Sequence, residues 1–374
     1  MDIAPILGAL DGFLVDEEFT QNKNTTTSTK PAAPQYFRAL SAPLWVAYRA
    51  GHKMNTRKNI DFDVPLYFVQ SANSAQRKFD IFQSNSVLAP GEWTRRDRAG
   101  SYATMGKLVS AIDSYDGWET GILPELHLKA VPVGSNLISP GLTGVRQGQS
   151  FVCINDEIMA YETANQTGDT TWTLINVHRA LFGRAFRSHA VNDRVMIFRN
   201  DWGCVAKTTY RDTVPVALKA VSWGATKQEN IETGGLPIQN SWQPSTQMNS
   251  PYRPDNLKIN GSRTITPVDI SHSDGYFDIS ANARKRSSLA QVPLMTDSGH
   301  GPEIAVDGDR NNYEVWLLDS ANQEHLLDEP TTVNFATIDL PPGIPLGEGY
   351  VWVKNVFRGY ESLWEDRVPV NIIP

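Results

Sequence analysis

The chain has 374 residues, of which 20% are charged and 10% aromatic, with 34 Lys and Arg against 41 Asp and Glu for a formal net charge of -7. That length predicts two or three domains rather than one small core, and the acidic balance excludes a general electrostatic attraction to nucleic acid or to an anionic membrane surface. The 27 glycines and 23 prolines are spread among short apolar runs, which is the composition of an all-β chain with many turns. From the N-terminus, Ile3, Ile6, Leu7, Leu10, Phe13 and Leu14 recur at helical spacing and predict a short amphipathic helix, weakened by Gly8 and Gly12. The Thr, Asn and Lys tract from Thr20 to Pro34 has too little apolar content to fold and reads as a linker. Residues 1–35 are therefore expected to be a flexible arm, either a docking arm for a neighbouring subunit or else a disordered terminus or a strap over the chain's own first domain.

A first β-module is expected over residues 36–123, with strands at Trp45 to Tyr48, Leu66 to Gln70 and Phe79 to Phe82, and with Ser84 to Arg98 as an excursion. A second is expected over 124–243, with strands at Leu126 to Val131, Val205 to Tyr210 and Val216 to Ser222. Within it, Asn155-Asp156 separates the apolar run Phe151 to Ile154 from Glu157 to Thr163 and predicts a β-hairpin, because Asx residues tolerate the positive φ of a two-residue turn. Ile158, Ala160 and Glu162 then face one way and Met159, Tyr161 and Thr163 the other. The polar run Pro237 to Ser250 lacks periodicity and marks the next boundary. In the third module, residues 244–374, Val315 and Leu317 alternate with Trp316 and Leu318, and Val351 and Val353 with Trp352; strands apolar on both faces are expected to be covered on both sides.

Catalytic signatures are weak. Gly100 and Gly106-Lys107 depart from the phosphate-binding loop in spacing, and Leu108 replaces its hydroxyl. Asp307-Gly308-Asp309 begins like a calcium loop, but Asn312 and Leu318 occupy the positions that need Gly and Glu, so a solvated turn is expected. No His-x-x-x-His or Cys-x-x-Cys pair supports zinc, and His178 and His189 read as polar caps on turns. Asp156, Glu157 and Glu162 read as the turn and exposed face of the hairpin. Cys153 and Cys204 are expected to be buried free thiols. No enzyme activity, cofactor or metal is expected. Met1-Asp2-Ile3-Ala4 lacks the basic start of a secretory signal, and no apolar run approaches the ~20 residues of a membrane span, so cytoplasmic assembly is expected. The densest basic patches, Arg95, Arg96 and Arg98 and then Arg284, Lys285 and Arg286, suit carboxylate pairing between subunits better than contact with nucleic acid in so acidic a chain.

One stretch is more specific. His178-Arg179-Ala180-Leu181-Phe182-Gly183-Arg184, then His189-Ala190-Val191-Asn192-Asp193 and Val195-Met196-Ile197-Phe198, follow the hairpin in order. This resembles a module of tail-tip and baseplate proteins of tailed bacteriophages and gene transfer agents, whose pattern reads roughly Gly-Glu hairpin, Leu-x-x-x-x-Arg-Gly-x-x-Gly-Thr, His-x-x-Gly-x-x-Val. Arg179, Gly183, His189 and Val195 match it, while Ala180, Arg184 and Asn192 stand where Gly, Thr and Gly are usual. Leu44 to Ala50 and Phe62 to Tyr67 resemble the entry to the preceding β-module of these proteins. Pro251 to Leu257 resembles the lead into their fibronectin-type sandwich, and Arg284-Lys285-Arg286 and Tyr313-Glu314-Val315 its basic cluster and a central strand.

The resemblance covers roughly residues 36 to 374. It implies a mainly β protein of tandem β-sandwich and β-barrel-like modules, the last resembling fibronectin type III, behind a flexible N-terminal arm. It implies a structural role beside a central tail hub, as a homotrimer in the virion at the tail tip or baseplate; Ile3, Ile6, Leu7, Leu10, Phe13 and the two basic patches are the candidate intersubunit contacts. The alternative is a receptor-binding tail protein that recognises a cell-surface glycan through exposed aromatic residues.

Overall fold

A computed structural model describes residues 31–53, 60–72, 78–87, 90–99, 102–114, 121–184, 186–199, 203–211, 213–224, 228–229, 238–245, 247–264, 266–282, 292, 294, 312–330, 332–358, 360–362 and 366–374. The expected arm residues Ile3, Ile6, Leu7, Leu10 and Phe13, the Arg284-Lys285-Arg286 cluster and Asp307-Gly308-Asp309 lie outside the described residues. The described chain is mainly β, as the turn-rich composition requires.

Strands β1 (Tyr36–Ser41) and β2 (Pro65–Gln70) form an antiparallel pair, and β3 (Lys78–Ser84) pairs with β4 (Thr94–Ala99). Between β1 and β2 the chain forms helix α1 (Leu44–Arg49) where a strand was expected. A short apolar run cannot be assigned from periodicity alone; here Pro43 opens the helix, its carbonyl accepts from Ala47 N at 3.0 Å, and Leu44, Trp45, Val46 and Ala47 are all buried. The second half of the expected excursion, Thr94–Ala99, is β4, held to β3 by arginines over a buried aspartate (below).

A closed antiparallel barrel follows, in the order β10-β5-β6-β9-β8-β7: β5 (Thr104–Leu108), β6 (Ile122–Lys129), β7 (Phe151–Ile154), β8 (Glu157–Gly168), β9 (Thr171–His178) and β10 (Arg194–Phe198), with helix α2 (Gly141–Arg146) before β7. Gly106-Lys107 sits in extended β5, paired with β10, and forms no phosphate loop. The Asn155-Asp156 hairpin forms as expected, with Asn155 at φ +55°.

The expected division at 123/124 falls inside β6, and the pairing runs differently on both sides of it. After the barrel, β11 (Val216–Trp223) returns to pair with β3, and β12 (Ile238–Trp242) adds to β11, giving the sheet β12-β11-β3-β4. The barrel is thus inserted into the first module, whose sheet is completed by β11, which begins 138 residues after β3 does. Such a long-range pairing leaves no local trace in the sequence. Val205 to Tyr210 makes only isolated bridges, Leu66 with Val205 and Asp63 with Tyr210, and the polar run expected as a boundary contains β12.

One-residue alternation divides the barrel strands between two cores. Val152, Ile154, Met159, Tyr161, Val195 and Ile197 fill the barrel with Leu126, Leu174 and Trp172. Phe151, Cys153, Ile158, Ala160, Met196 and Phe198 face out and join Trp45, Phe68 and Tyr252 in the core of the first module. The facing of Ile158 and Ala160 against Met159 and Tyr161 is the one the hairpin pattern predicts. Both cysteines are buried free thiols.

The last module is a two-sheet sandwich. One sheet is β13 (Asp255–Ile259), β15 (Tyr276–Asn282) and β18 (Ala336–Asp339); the other is β14 (Val268–Ser271), β21 (Val368–Ile373), β19 (Gly347–Phe357), β16 (Asn312–Leu318) and β17 (Glu324–Asp328), with β20 (Tyr360–Glu361) against β19. This is a fibronectin type III-like arrangement. Leu257, Ile259, Phe277, Ile279 and Ile338 meet Tyr313, Val315, Leu317, Val351, Val353 and Ile372 between the sheets. On the outer face Trp316 stacks on Trp352 at 6.3 Å and 10°, with Lys354 and Arg367 over the rings, so these strands are covered on both sides.

Candidate functional site

The residues singled out by the sequence converge on one point, the carboxylate of Glu157. It lies immediately after the hairpin turn and, against the expectation of an exposed face, is fully buried. Arg179 reaches it with two bonds, Nε to Oε1 at 3.0 Å and Nη2 to Oε2 at 2.9 Å, and His189 Nε2 lies 2.9 Å from Oε2. The amides of Ala180 and Arg187 add donors at 3.2 and 3.1 Å. Burial pushes the Glu157 carboxyl up, but the His189 bond and the Arg179 charge outweigh it and hold the group below its ordinary value. Such a carboxylate is an organising centre: it is saturated with donors, so it has neither a free lone pair nor solvent with which to act as base or nucleophile.

Arg179 also donates to two backbone carbonyls, Nη1 to Asp113 O at 2.8 Å and Nη2 to Arg187 O at 2.7 Å. His189 is therefore a buried member of the network and not a turn cap, and it also bridges backbone to backbone with Ile112. His178 is likewise buried, 2.9 Å from Glu162 Oε1. Asn192 takes φ +71°, the left-handed conformation expected where Gly is usual, and Asp193 binds the amide of Ala190 at 3.0 Å and Asn155 Nδ2 at 3.2 Å. Asp156 stays near the surface and pairs with Arg187 at 2.9 Å.

The turn after Arg179 is strained on purpose. Ala180 and Phe182 adopt positive φ, +50° and +60°, ahead of Gly183 at +70°. Non-glycine residues hold such angles only when their surroundings compel them. The compulsion comes from packing: the Phe182 ring lies 6.0 Å from Trp45, 5.8 Å from Phe151 and 6.5 Å from Tyr252. Arg184, where Thr is usual, is buried and donates to Asp156 O at 2.6 Å and to Ser41 O at 3.2 Å, joining the turn to β1.

Gly183 brings the turn against the lead into the sandwich. A Cβ there would lie 3.1 Å from Arg253 N and 3.3 Å from Tyr252 Cα. Gly183→Ala is expected to destabilise by about 1–3 kcal/mol, since it adds a backbone clash to an unfavourable φ; urea unfolding of the two proteins measures it, and an unchanged midpoint would refute the close approach. The lead is held from the other side as well: Asn355 Nδ2 donates to Tyr252 O at 2.9 Å, and Arg253 shares Phe186 with Arg179, each guanidinium 5.4 Å from the ring. Asp366, buried in the sandwich, binds Arg263 in two places at 2.6 and 2.9 Å; burial raises its pKa, but the charges of Arg263 and then Arg253 bring it below the ordinary range.

Another buried carboxylate, Asp63, ties the first module to the chain just before that lead without any cation. It accepts from Ser41 Oγ at 2.6 Å and from the amides of Val64 and Ser245, each at 2.7 Å, while Asn249 bonds the amide and carbonyl of Ile60 nearby. Desolvation dominates over these three donors and raises the Asp63 pKa to about 6. The fold therefore favours its neutral form. That preference is fully present below the unfolded value near 4 and is lost as pH rises through 6, a change on the order of 3 kcal/mol. Asp63→Asn is expected to flatten the stability profile between about pH 4 and 6; an identical slope in both proteins would contradict it.

The basic residues of β4 are engaged within the chain. Arg95 and Arg98 flank the buried carboxylate of Asp80 at 3.7 and 3.0 Å, and Arg96 donates to Gln83 at 2.6 Å and lies over Tyr210. Among the described residues no cluster of His, Cys, Asp and Glu could hold a metal, and no helix is long and apolar enough to cross a membrane.

Residues 103–196 match the family model described as Rcc01698-like, C-terminal. The Rcc01698-like segment runs from just before β5 into β10 and so contains Glu157, Arg179, Gly183 and His189. No curated protein matches the chain. Among solved structures, the chain is similar to the FN1-FN3 domains of chicken CNTN1 at 8% identity and a TM-score of 0.19, over 92% of this chain and 99% of that one. It is also similar to the BSP domain of a biofilm associated protein, at 8% identity and a TM-score of 0.18, over 93% and 84%.

The sequence marks Arg179, Gly183, His189 and Asn192 but not Glu157, the carboxylate that Arg179 and His189 hold. The signal was available: a patterned arginine and histidine on successive turns need an anion, and Glu157 is the acidic residue at the hairpin's inner edge. Trp45, Asp63 and Arg253 lie in the segments Leu44 to Ala50, Phe62 to Tyr67 and Pro251 to Leu257 that the resemblance marks, but nothing local in them indicates their contacts.

Proposed function

We propose that this chain is a structural component of a phage or phage-like tail tip or baseplate. In this reading it assembles beside a central hub protein as a homotrimer around the tail axis, and it is located in the virion. Its work is mechanical: it helps to close the tail and to transmit host recognition by rigid-body shifts. No enzymatic activity is part of the proposal.

The observation that carries the reading is the convergence at Glu157. The pattern residues lie in the segment that matches the Rcc01698-like family, and they join the barrel, the module around it and the lead into the sandwich. Saturated buried ion pairs and shared aromatic packing suit a part that moves as a body. The described tryptophans, at 45, 93, 172, 223, 242, 316 and 352, are all buried or half-buried, so the receptor-binding alternative would rest on exposed aromatic residues such as Tyr276, Phe335 and Tyr350 of the sandwich.

Co-expression with the remaining tail proteins, followed by size-exclusion chromatography with light scattering, tests the proposal. Trimers or hub-bound complexes are expected. A stable monomer indifferent to every other tail protein would overturn it.

A further inference from the structure

Cations stand side by side on the outer face of the barrel. Antiparallel pairing sets Lys107 of β5 directly opposite Lys129 of β6 on one side and Arg194 of β10 on the other. Each alternates with a residue that fills the barrel, Leu108, Leu128 and Val195, so all three side chains leave the barrel on its outer side. Directly opposite residues lie about 5 Å apart, so the row spans about 10 Å, and like charges placed in this way destabilise a sheet.

Among the described residues no carboxylate offsets this charge. Lys107 and Lys129 make no hydrogen bond or ion pair there. Arg194 is held by neutral partners: its Nη1 donates to Gln70 Oε1, and its guanidinium carbon lies 4.2 Å from the centre of the Tyr36 ring. Asp193, next in the chain, is turned instead to the amide of Ala190 and to Asn155. The positions two residues before or after the three cations, Met105, Val109, His127, Val131, Asn192 and Met196, include no acid. In a chain of net charge -7, a repulsive row kept without a counter-charge is a local cost that a bound anion would reverse.

The row borders a cleft of about 490 Å3, lined by Lys107 and Arg194 together with Gln35 and Gln70, which flank β1 and end β2. Gly106 and Ala130 in the same lining keep it open, and its volume is that of a small-molecule site. We propose that this cleft binds a small anion bearing two or more phosphate groups, with the ammonium groups of Lys107 and Lys129 and the guanidinium of Arg194 as its counter-charges. Cations spread over about 10 Å call for several negative charges, which a di- or triphosphate carries in one compact chain and a single carboxylate does not. Lysine acts toward phosphate oxygens as a point charge, and arginine adds a directed fork. The site is the face of a sheet and not a glycine-rich loop, and it depends neither on the Glu157 network nor on the structural role proposed above.

The test titrates the full chain with inorganic tripolyphosphate by calorimetry, with orthophosphate and citrate as controls. Tripolyphosphate is expected to bind with a submillimolar Kd, and orthophosphate and citrate roughly tenfold more weakly or worse. Lys107→Gln and Lys129→Gln are each expected to weaken tripolyphosphate by about fivefold or more, while Lys258→Gln, on β13 of the sandwich, leaves it unchanged. Because Lys107→Gln also relieves the repulsion within the row, its unfolding midpoint without ligand is expected to equal or exceed that of the parent. No binding by the parent, citrate binding as tightly as tripolyphosphate, equal weakening by Lys258→Gln, or a lowered midpoint for Lys107→Gln would each overturn the proposal.

Discussion

Arg179→Met is expected to destabilise the protein by about 3–5 kcal/mol, because it leaves the Glu157 carboxylate buried with its principal counter-charge gone. Both side chains are fully buried, so water cannot take over the lost bonds, and His189 alone cannot replace two charge-assisted bonds. Two carbonyls, those of Asp113 and Arg187, lose their donor at the same time. Because Glu157 is held below its ordinary pKa in the parent, its stabilisation is present above the unfolded value and is lost as pH falls through the folded one. In the variant that acid sensitivity is expected to diminish. Adding Glu157→Leu should recover only part of the loss, because it removes the unpaired carboxylate but leaves the His189 ring and the amides of Ala180 and Arg187 without their acceptor. Urea unfolding of parent, single and double variants reads all three results; a single variant within about 1 kcal/mol of the parent would refute the network's role.

Trp45→Ala is the second large effect, about 3–5 kcal/mol. The ring is fully buried, 6.1 Å from Phe151 on the barrel and 6.0 Å from Phe182 on the strained turn. A Cβ at Gly148 would come within 2.7 Å of it, so α2's exit is also shaped around this side chain. Removing the ring takes away what compels Phe182 into positive φ, so the turn should relax as well as the core. Trp45→Phe is expected to recover about half of the loss. Thermal unfolding compares the three; a Trp45→Ala protein as stable as the parent would show that the barrel does not depend on α1.

These two residues also mark how much was legible in the sequence. The hairpin at Asn155, the left-handed Asn192 and the alternation of β8 follow from rules that act within a few residues, and so does the β16 pattern that places Val315 and Leu317 inside the sandwich. The barrel's insertion into the sheet β12-β11-β3-β4 rests on pairing such as Phe82 with Lys219, which no local rule encodes. The same limit hid Trp45: in sequence it was one apolar residue in a run expected to be a strand, and the structure folds that run as a helix. Glu157 was misread for a different reason. A charged residue beside a turn is ordinarily exposed, and only the meeting of Arg179 and His189, 22 and 32 positions later, makes its burial affordable.

The most direct measurement is cryo-electron microscopy of the assembled particle with this chain traced into the density. The account predicts three copies around the tail axis beside the hub, each with barrel, surrounding module and Tyr252–Arg253 lead in one fixed arrangement. Density confined to peripheral fibres, or no density for this chain in the particle, would contradict it.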